Sequence, residues 1–491
     1  MKTNVLNSLE PQEVFYWFEQ ICNIPHGSGN TKKISDFLVN FAKDRNLKFI
    51  QDESNNVIIY KDAFDKNSDI NDEQKTVILQ GHIDMVCEKV DDCDIDFINE
   101  GLKLKIDDGF IKADGTTLGG DDGIAVAYML AILDSKDIQH PPLECVFTVD
   151  EEIGMLGAAA MDMSVLKGRK LLNIDSEEEG YLLVSCAGGA TVQIRIPLLR
   201  RGAQGKKYIV TLSGLRGGHS GVEINKGRAN ADAVLGNVLK ELSLADDSMK
   251  VVSVKGGLKD NAIPVKATAV VVSKNFDILE KTLNDMQEEL REILKNTDHD
   301  ILLSIKEADG STEEEKWYPL DELLNLRFLM LFGDMPFGVR KMSSDIPGLV
   351  QTSLNLGILD TTEDEIIITY SVRSSRKDEK QELIEELVTI AESIGATIVV
   401  TGAYPAWEYK KDSELREIMT KTYEEMFHKP MVVQAIHAGV ECGLFSNKLE
   451  GLDAVSFGPD ILDIHTPKER LNIDSVKRTW EYIKTVLSEL S

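Results

Sequence analysis

From residue 77 to residue 190, short apolar runs rich in β-branched residues alternate with helical ones, and each apolar run ends on an acid or a histidine. "VILQGHID" ends on His82 and Asp84, "VFTVDEE" on Glu151 and Glu152, and "LLNID" on Asp175. Between them, "GIAVAYMLAILDS" and "LGAAAMDMSVL" have the length and apolar content of helices. Such alternation predicts an α/β sheet with helices on its faces, and sheets of this kind bind ligands at the carboxyl ends of their strands. Residues i and i+2 share one side of a strand, so His82 and Asp84 point the same way.

Turns favour Asp and Asn, but they have no use for His or for paired Glu. A fourth strand-like run, in "AVSFGPDILDIHTP", is followed by a loop carrying His465, and "TTLGGDDGIAVAY" places Asp121 and Asp122 just before a helix. Imidazole nitrogen with carboxylate oxygen, and no thiolate among them, suits Zn²⁺, Mn²⁺ or Co²⁺. The donors suit two ions better than one. No HExxH occurs, which excludes a helix-based zinc protease.

The rest of the chain bounds the architecture. At 491 residues it suggests two to four domains. "EPQEVFYWFEQICNI" and "TKKISDFLVNFAKDRN" read as helices on either side of the Gly-rich loop "HGSGN", where His26 could approach the site. Near Ser185 the texture changes: "TVQIRI", "YIVTLSG", "LVQTSLNLGIL" and "EIIITYSVRSS" read as strands of a sheet with one solvated face, interleaved with helices such as "DILEKTLNDMQEELREIL" and 378–394. "ATIVVTGAYPAWEYKKDSELREIMTKTYEEMF" returns to a strand, a turn and a helix, and reads as re-entry into the first domain. His437 and Glu441 stand at i and i+4, a spacing that pairs side chains on one helix face. The acidic "DDCDIDFINE" and "STEEEK" read as solvated loops.

Composition narrows the function classes. With 42% hydrophobic and 28% charged residues the chain reads as soluble and globular. No run approaches the roughly twenty apolar residues of a membrane span, and the start lacks the apolar core of a secretory signal. A formal charge of -29 repels phosphate backbones and argues against nucleic acid as a partner. Cys22, Cys87, Cys93, Cys145, Cys186 and Cys442 form no CxxC pair, which fits reduced thiols in a cytoplasmic protein; nothing nearby marks Cys442 as a nucleophile.

"GHIDMV", "LGGDDGIA", "TVDEEIG", "LNIDSEEEG", "GLRGGHSG", "NAIP", "HAGVECGLF" and "IHTPKERL" occur in this order, and together they resemble the M20 metallopeptidase family in its aminoacyl-histidine dipeptidase branch. The resemblance runs from about residue 10 to the end. It implies a discontinuous α/β catalytic domain with a mixed, largely parallel sheet (1–188 and 403–491) and an inserted α+β lid and dimerisation domain (189–402). It implies that His82 and Asp175 bind one divalent ion, Glu152 and His465 the other, and that Asp121 bridges them across a cis Asp121–Asp122 bond. Asp84 would orient His82 and Glu151 would be the general base, although spacing alone allows the two glutamates to be exchanged. In the inserted domain, His219 would stabilise an oxyanion, while Asn261 and Arg373 would grip the substrate. The implied enzyme is a cytoplasmic, homodimeric dipeptidase of Xaa-His and broader dipeptides. It would use two ions, with zinc ahead of manganese or cobalt. An N-acyl-amino-acid amidohydrolase would need the same chemistry, and a non-catalytic binding protein would be expected to have lost a ligand or the base.

Overall fold

Val77–His82 and Leu143–Thr148 are buried along their whole length, which requires cover on both faces of the sheet they build. In the computed structural model, which describes residues 4–64, 75–309, 311 and 316–491, they lie side by side in an eight-stranded mixed sheet. Its order is Lys48–Gln51, Val57–Lys61, Leu143–Thr148, Val77–His82, Lys170–Asn173, Asp453–Ser456, Tyr181–Cys186, Val432–Ile436. The central strands are parallel, and antiparallel strands flank them. Helix Gly120–Asp134 is apolar on every side and buried from Gly120 to Leu133. It packs on Val77–His82 and on helix Gln12–Cys22. Its Tyr128 stacks on Trp480 of helix Ile473–Glu489 and donates a 2.9 Å hydrogen bond to the Val476 carbonyl.

Two units divide the chain. The first comprises Met1–Cys186, Trp407–Ala435 and Val440–Ser491; the second comprises Ala187–Ala406 and Ile436–Gly439. The second is built on a nine-stranded antiparallel sheet whose longest members are Gly188–Pro197, Val350–Thr361 and Glu365–Ser374. Burial alternates along Gly188–Pro197, as a strand with one face on a core requires. Helices Ala231–Ala245, Glu322–Gly333 and Lys377–Ser393 supply the other side of that core through Leu235, Phe328, Phe332 and Leu387.

Two local readings change. Strand Thr397–Tyr404 does not begin the return to the first unit; it pairs antiparallel with Gly188–Pro197, whose other edge is taken by Glu365–Ser374. "LGAAAMDMSVL" is not one helix but a five-residue helix, Leu156–Ala160, and a 3₁₀ turn, Met163–Val165. The break falls where Met161 becomes extended and the Asp162 side chain accepts from the Ser164 N–H, since a side-chain oxygen that bonds nearby backbone competes with the helix. "DDCDIDFINE" is mostly exposed, whereas most of "STEEEK" lies outside the described residues. No helix among the described residues is long and apolar enough to cross a membrane.

Candidate metal centre

Strand register gathers the ligand-type residues of the first unit. His82 stands level with Thr148, Gln80 with Asn173, and Asn173 with Ser456. The residues just past these strands therefore emerge at one edge: Asp84, the Glu151–Glu152 pair, Asp175, and the segment leading to His465. Asp121 arrives separately, at the start of helix Gly120–Asp134. Gly81 permits this approach, because a Cβ there would lie 2.5 Å from Asp122 Oδ2 and 2.7 Å from the Ala125 Cβ. The Asp121–Asp122 bond is cis.

Asp121 sits between two imidazoles. Its Oδ1 is 3.1 Å from His82 Nε2, and its Oδ2 is 3.2 Å from His465 Nε2. Each ring faces one more carboxylate: Asp175 Oδ1 is 3.5 Å from His82 Nε2, and Glu152 Oε1 is 3.0 Å from His465 Nε2. Tetrahedral donors bonded at 2.0–2.2 Å stand about 3.3–3.6 Å apart, so each imidazole nitrogen stands at nearly that spacing from both of its carboxylates. Donor atoms of His82, Asp121 and Glu152 lie within 4.8 Å of one another, as do those of His82, Asp122 and Asp175. Asp122 is already engaged, its Oδ2 accepting from the His82 N–H at 3.2 Å.

The electrostatics favour cations. Burial opposes a charged His82, yet Asp175, Asp121 and Asp84 raise its pKa well above the ordinary value. Hydrogen bonds to Asp121 and Glu152 carry His465 to about 10. Burial, with neighbouring acids, raises Asp175 and Glu151. Two divalent ions would offset the carboxylates of Asp121, Glu151, Glu152 and Asp175 charge for charge. The donor set therefore fits a dinuclear centre.

The two glutamates differ. Glu152 pairs with His465, whereas the Glu151 carboxylate has no hydrogen-bond partner among the described residues. Asp84 steadies both. Its backbone carbonyl is 3.0 Å from His82 Nδ1 and its Oδ1 is 3.5 Å away, so a neutral ring donates from Nδ1 and turns the Nε2 lone pair toward the carboxylates. The Asp84 carboxylate also accepts from Ser28 Oγ at 2.8 Å and from the Glu151 and Glu152 N–H groups at 3.1 and 3.4 Å. Gly29 N–H donates to Asp150 Oδ1 at 2.7 Å. The loop "HGSGN" thus buttresses the segment that carries the glutamates. His26 is buried in that loop with Nδ1 2.6 Å from the Ile24 carbonyl, and burial lowers its pKa despite the nearby Asp84.

His437 and Glu441 do not share a helix face, because strand Val432–Ile436 ends before the first and helix Cys442–Lys448 begins after the second. Glu441 is fully buried in the first unit and accepts from Gln80 Nε2 and Thr148 Oγ1 at 2.5 and 2.7 Å. Burial takes its pKa to about 8. Cys442 is also fully buried, and burial pushes its thiol far from the reactive thiolate form.

His219, Asn261 and Arg373 all belong to the second unit. Gly221 and Val222 donate their N–H groups to His219 Nδ1 at 3.1 and 3.2 Å, which places the ring proton on Nε2. Burial, and then Arg373, lower the His219 pKa, so the ring is a neutral donor. Arg373 is 8% exposed, donates to Tyr404 Oη at 3.0 Å, and leaves its buried Nε without a partner. Gly189, level with Arg373, makes room for that tyrosine, since a Cβ there would lie 2.5 Å from Tyr404 Oη. His437 lies close to this group: its Nε2 is 2.7 Å from Ser353 Oγ, and burial, followed by the Arg373 charge, lowers its pKa to about 3. Asn261 is exposed, and its carbonyl accepts from the Ser220 N–H at 2.9 Å.

Residues 78–489 match the family described as Peptidase family M20/M25/M40. The chain belongs to the M20 peptidase family. The matched span contains every residue of the centre. The chain is 34% identical over 493 residues to the cytosol non-specific dipeptidase of Escherichia coli (strain K12), covering 99% of each. It superimposes with a TM-score of 0.90 and 35% identity on the aminoacylhistidine dipeptidase of Vibrio alginolyticus, covering 99% of this chain and 98% of that one. The aminopeptidase PepT of Bacillus cereus ATCC 10987 shares the fold, with a TM-score of 0.56 and 16% identity over 98% of this chain and 99% of that one.

Ser28, Asp150 and Glu469 support the centre without having been expected to. All three stood inside quoted stretches, Ser28 in "HGSGN", Asp150 in "TVDEEIG" and Glu469 in "IHTPKERL", four residues after His465.

Proposed function

We propose that this M20 peptidase is a dipeptidase acting on Xaa-His and broader dipeptides, β-Ala-His among them, with two divalent ions held by His82, Asp121, Glu152, Asp175 and His465. The observation that carries the reading is that the two oxygens of Asp121 face two different imidazoles, each with a second carboxylate beside it. Two relatives matched over nearly their whole length, one in sequence and one in structure, are dipeptidases by name. When bound, the ions supply Lewis-acid polarisation of the scissile carbonyl and lower the pKa of the attacking water.

The chain's own residues supply the rest. Glu151 takes a proton from the attacking water and delivers it to the departing amine. Its unpartnered carboxylate and raised pKa suit that exchange. Asp84 holds the Glu151 backbone and the His82 ring. His219 donates from Nε2 to the oxyanion of the tetrahedral intermediate, and Asn261 with Arg373 binds the substrate, the guanidinium gripping its terminal carboxylate. The second unit serves as lid and dimerisation domain of a cytoplasmic homodimer, and zinc is the working metal.

The test removes metal with a chelator, restores Zn²⁺, Mn²⁺ or Co²⁺ separately, and assays Ala-His, β-Ala-His, a tripeptide and N-acetyl-His. Metal-restored cleavage of the dipeptides alone is the expected result. Cleavage of N-acetyl-His alone would make the protein an acyl-amino-acid hydrolase, and no cleavage with any metal would make it a binding protein.

A further inference from the structure

Glu469 is 3% exposed, and both of its oxygens are spent on backbone. Oε2 accepts from the N–H groups of Leu118 and Gly119 at 2.7 and 3.2 Å, and Oε1 from those of Gly120 and Asp121 at 2.8 and 3.4 Å. A carboxylate so filled is not available as a ligand. It instead fixes four consecutive peptide units, the last of which carries Asp121. Gly120 keeps the distance short, since a Cβ there would already stand 3.2 Å from Oε1.

The other end of the connection is equally defined. Glu469 lies four residues after His465, its N–H donates to the Thr466 carbonyl at 3.1 Å, and Thr466 Oγ1 donates to the Asp463 carbonyl at 2.7 Å. Strands Ile461–Leu462 and Arg470–Asn472 pair around this loop, and Arg470–Asn472 pairs with Phe110–Ala113. His465 itself adopts a left-handed backbone, φ 59°, so its placement depends on how the loop is tethered. One carboxylate therefore joins the segment bearing the shared Asp121 to the segment bearing His465.

We propose that Glu469 is a positioning residue that sets Asp121 and His465 relative to each other and so governs the affinity of the centre for its second ion. This rests on the dinuclear reading of the centre. Glutamine at 469 would keep one acceptor but turn an amide N–H₂ toward two backbone donors, leaving them unpaired. Aspartate would keep the charge and withdraw it by one methylene.

Apo wild type, E469Q and E469D are titrated with Zn²⁺ and with Co²⁺ by calorimetry, with far-UV circular dichroism as the check on folding. Electron paramagnetic resonance of the Co²⁺-loaded proteins reports whether two ions share a carboxylate. Wild type is expected to bind two ions. E469Q is expected to bind the first within about threefold of wild type and the second about 10- to 100-fold more weakly, the range typical of lost groups behind metal ligands, with the spin coupling weakened. E469D should fall between. A folded E469Q with wild-type affinity for both ions overturns the proposal. Should E469Q fail to fold, E469D decides, and an unchanged second affinity there overturns it equally. A wild type that binds fewer than two ions refutes the dinuclear reading instead.

Discussion

In the first unit Asp121, Glu152 and Asp175 face imidazoles, and Glu469 faces four N–H groups. In the second unit Asp232 is more deeply buried, at 0% exposure, but neither of its oxygens has a hydrogen-bond partner among the described residues. It stands in the first turn of helix Ala231–Ala245, where the helix dipole favours a carboxylate. Burial nevertheless wins and carries its pKa to about 8. A buried acid is either compensated or discharged. The first unit sets its acids against imidazoles and N–H groups, although burial still raises Asp175 and carries Glu469 to about 7, whereas the second gives Asp232 no such partner and leaves it protonated. Arg373 is a buried polar group of the second unit that is only partly compensated: it donates to Tyr404 Oη at 3.0 Å, and its Nε has no hydrogen-bond partner among the described residues.

The largest effect that would sharpen this contrast is expected at Glu151. Glu151→Gln should lower kcat about 10²- to 10⁴-fold, the usual worth of a general base, while metal content measured by atomic emission stays at the wild-type level. Loss of metal would instead make Glu151 a ligand and erase its difference from Glu152.

Asp232 comes next. A group whose folded pKa is raised contributes stability that is fully present below its unfolded pKa and is lost as pH rises through the folded one. The loss at Asp232 therefore falls between pH about 4 and about 8 and amounts to a few kcal/mol, on the order expected for a shift of this size. Asp232→Asn should flatten this dependence in urea unfolding of the second unit followed from pH 4 to 9. An unchanged slope would mean that Asp232 is compensated after all.

Smaller effects are expected around Arg373. Arg373→Lys should raise the KM for dipeptides about tenfold or more and change kcat less, because ammonium cannot reproduce the planar fork. Tyr404→Phe removes a single hydrogen bond to Arg373, and a KM increase of about 2- to 10-fold is expected. If the tyrosine change exceeded the arginine change in steady-state assays, Tyr404 rather than Arg373 would be the residue that meets substrate.

How much of this was legible in the chain depends on the range of the interaction. Strand ends could be read because periodicity is local: His82, Glu152 and Asp175 each close an apolar run of a few residues. The approach of Asp121 to His82 was not readable from spacing, since it depends on Gly81 admitting the helix start, and only the motif resemblance supplied it. Glu469 was opaque for the same reason. Its four donors lie about 350 residues earlier in the chain, and no periodicity spans that interval. Thr397–Tyr404 reads as a strand on its own terms, but the choice of which sheet to join lies with Gly188–Pro197, whose free edge the sequence does not mark.

The distance along the chain between Glu469 and Asp121, 348 residues, also sets an order in time. At 5–20 residues per second a ribosome takes roughly 17–70 s to cover that interval. For most of it, once Asp175 has been added, the nascent chain holds His82, Asp121, Glu152 and Asp175 without His465 or the carboxylate that joins the two segments. A half-made chain therefore lacks the complete centre, and the activity proposed for it arises only once the late segment has been synthesised and docked.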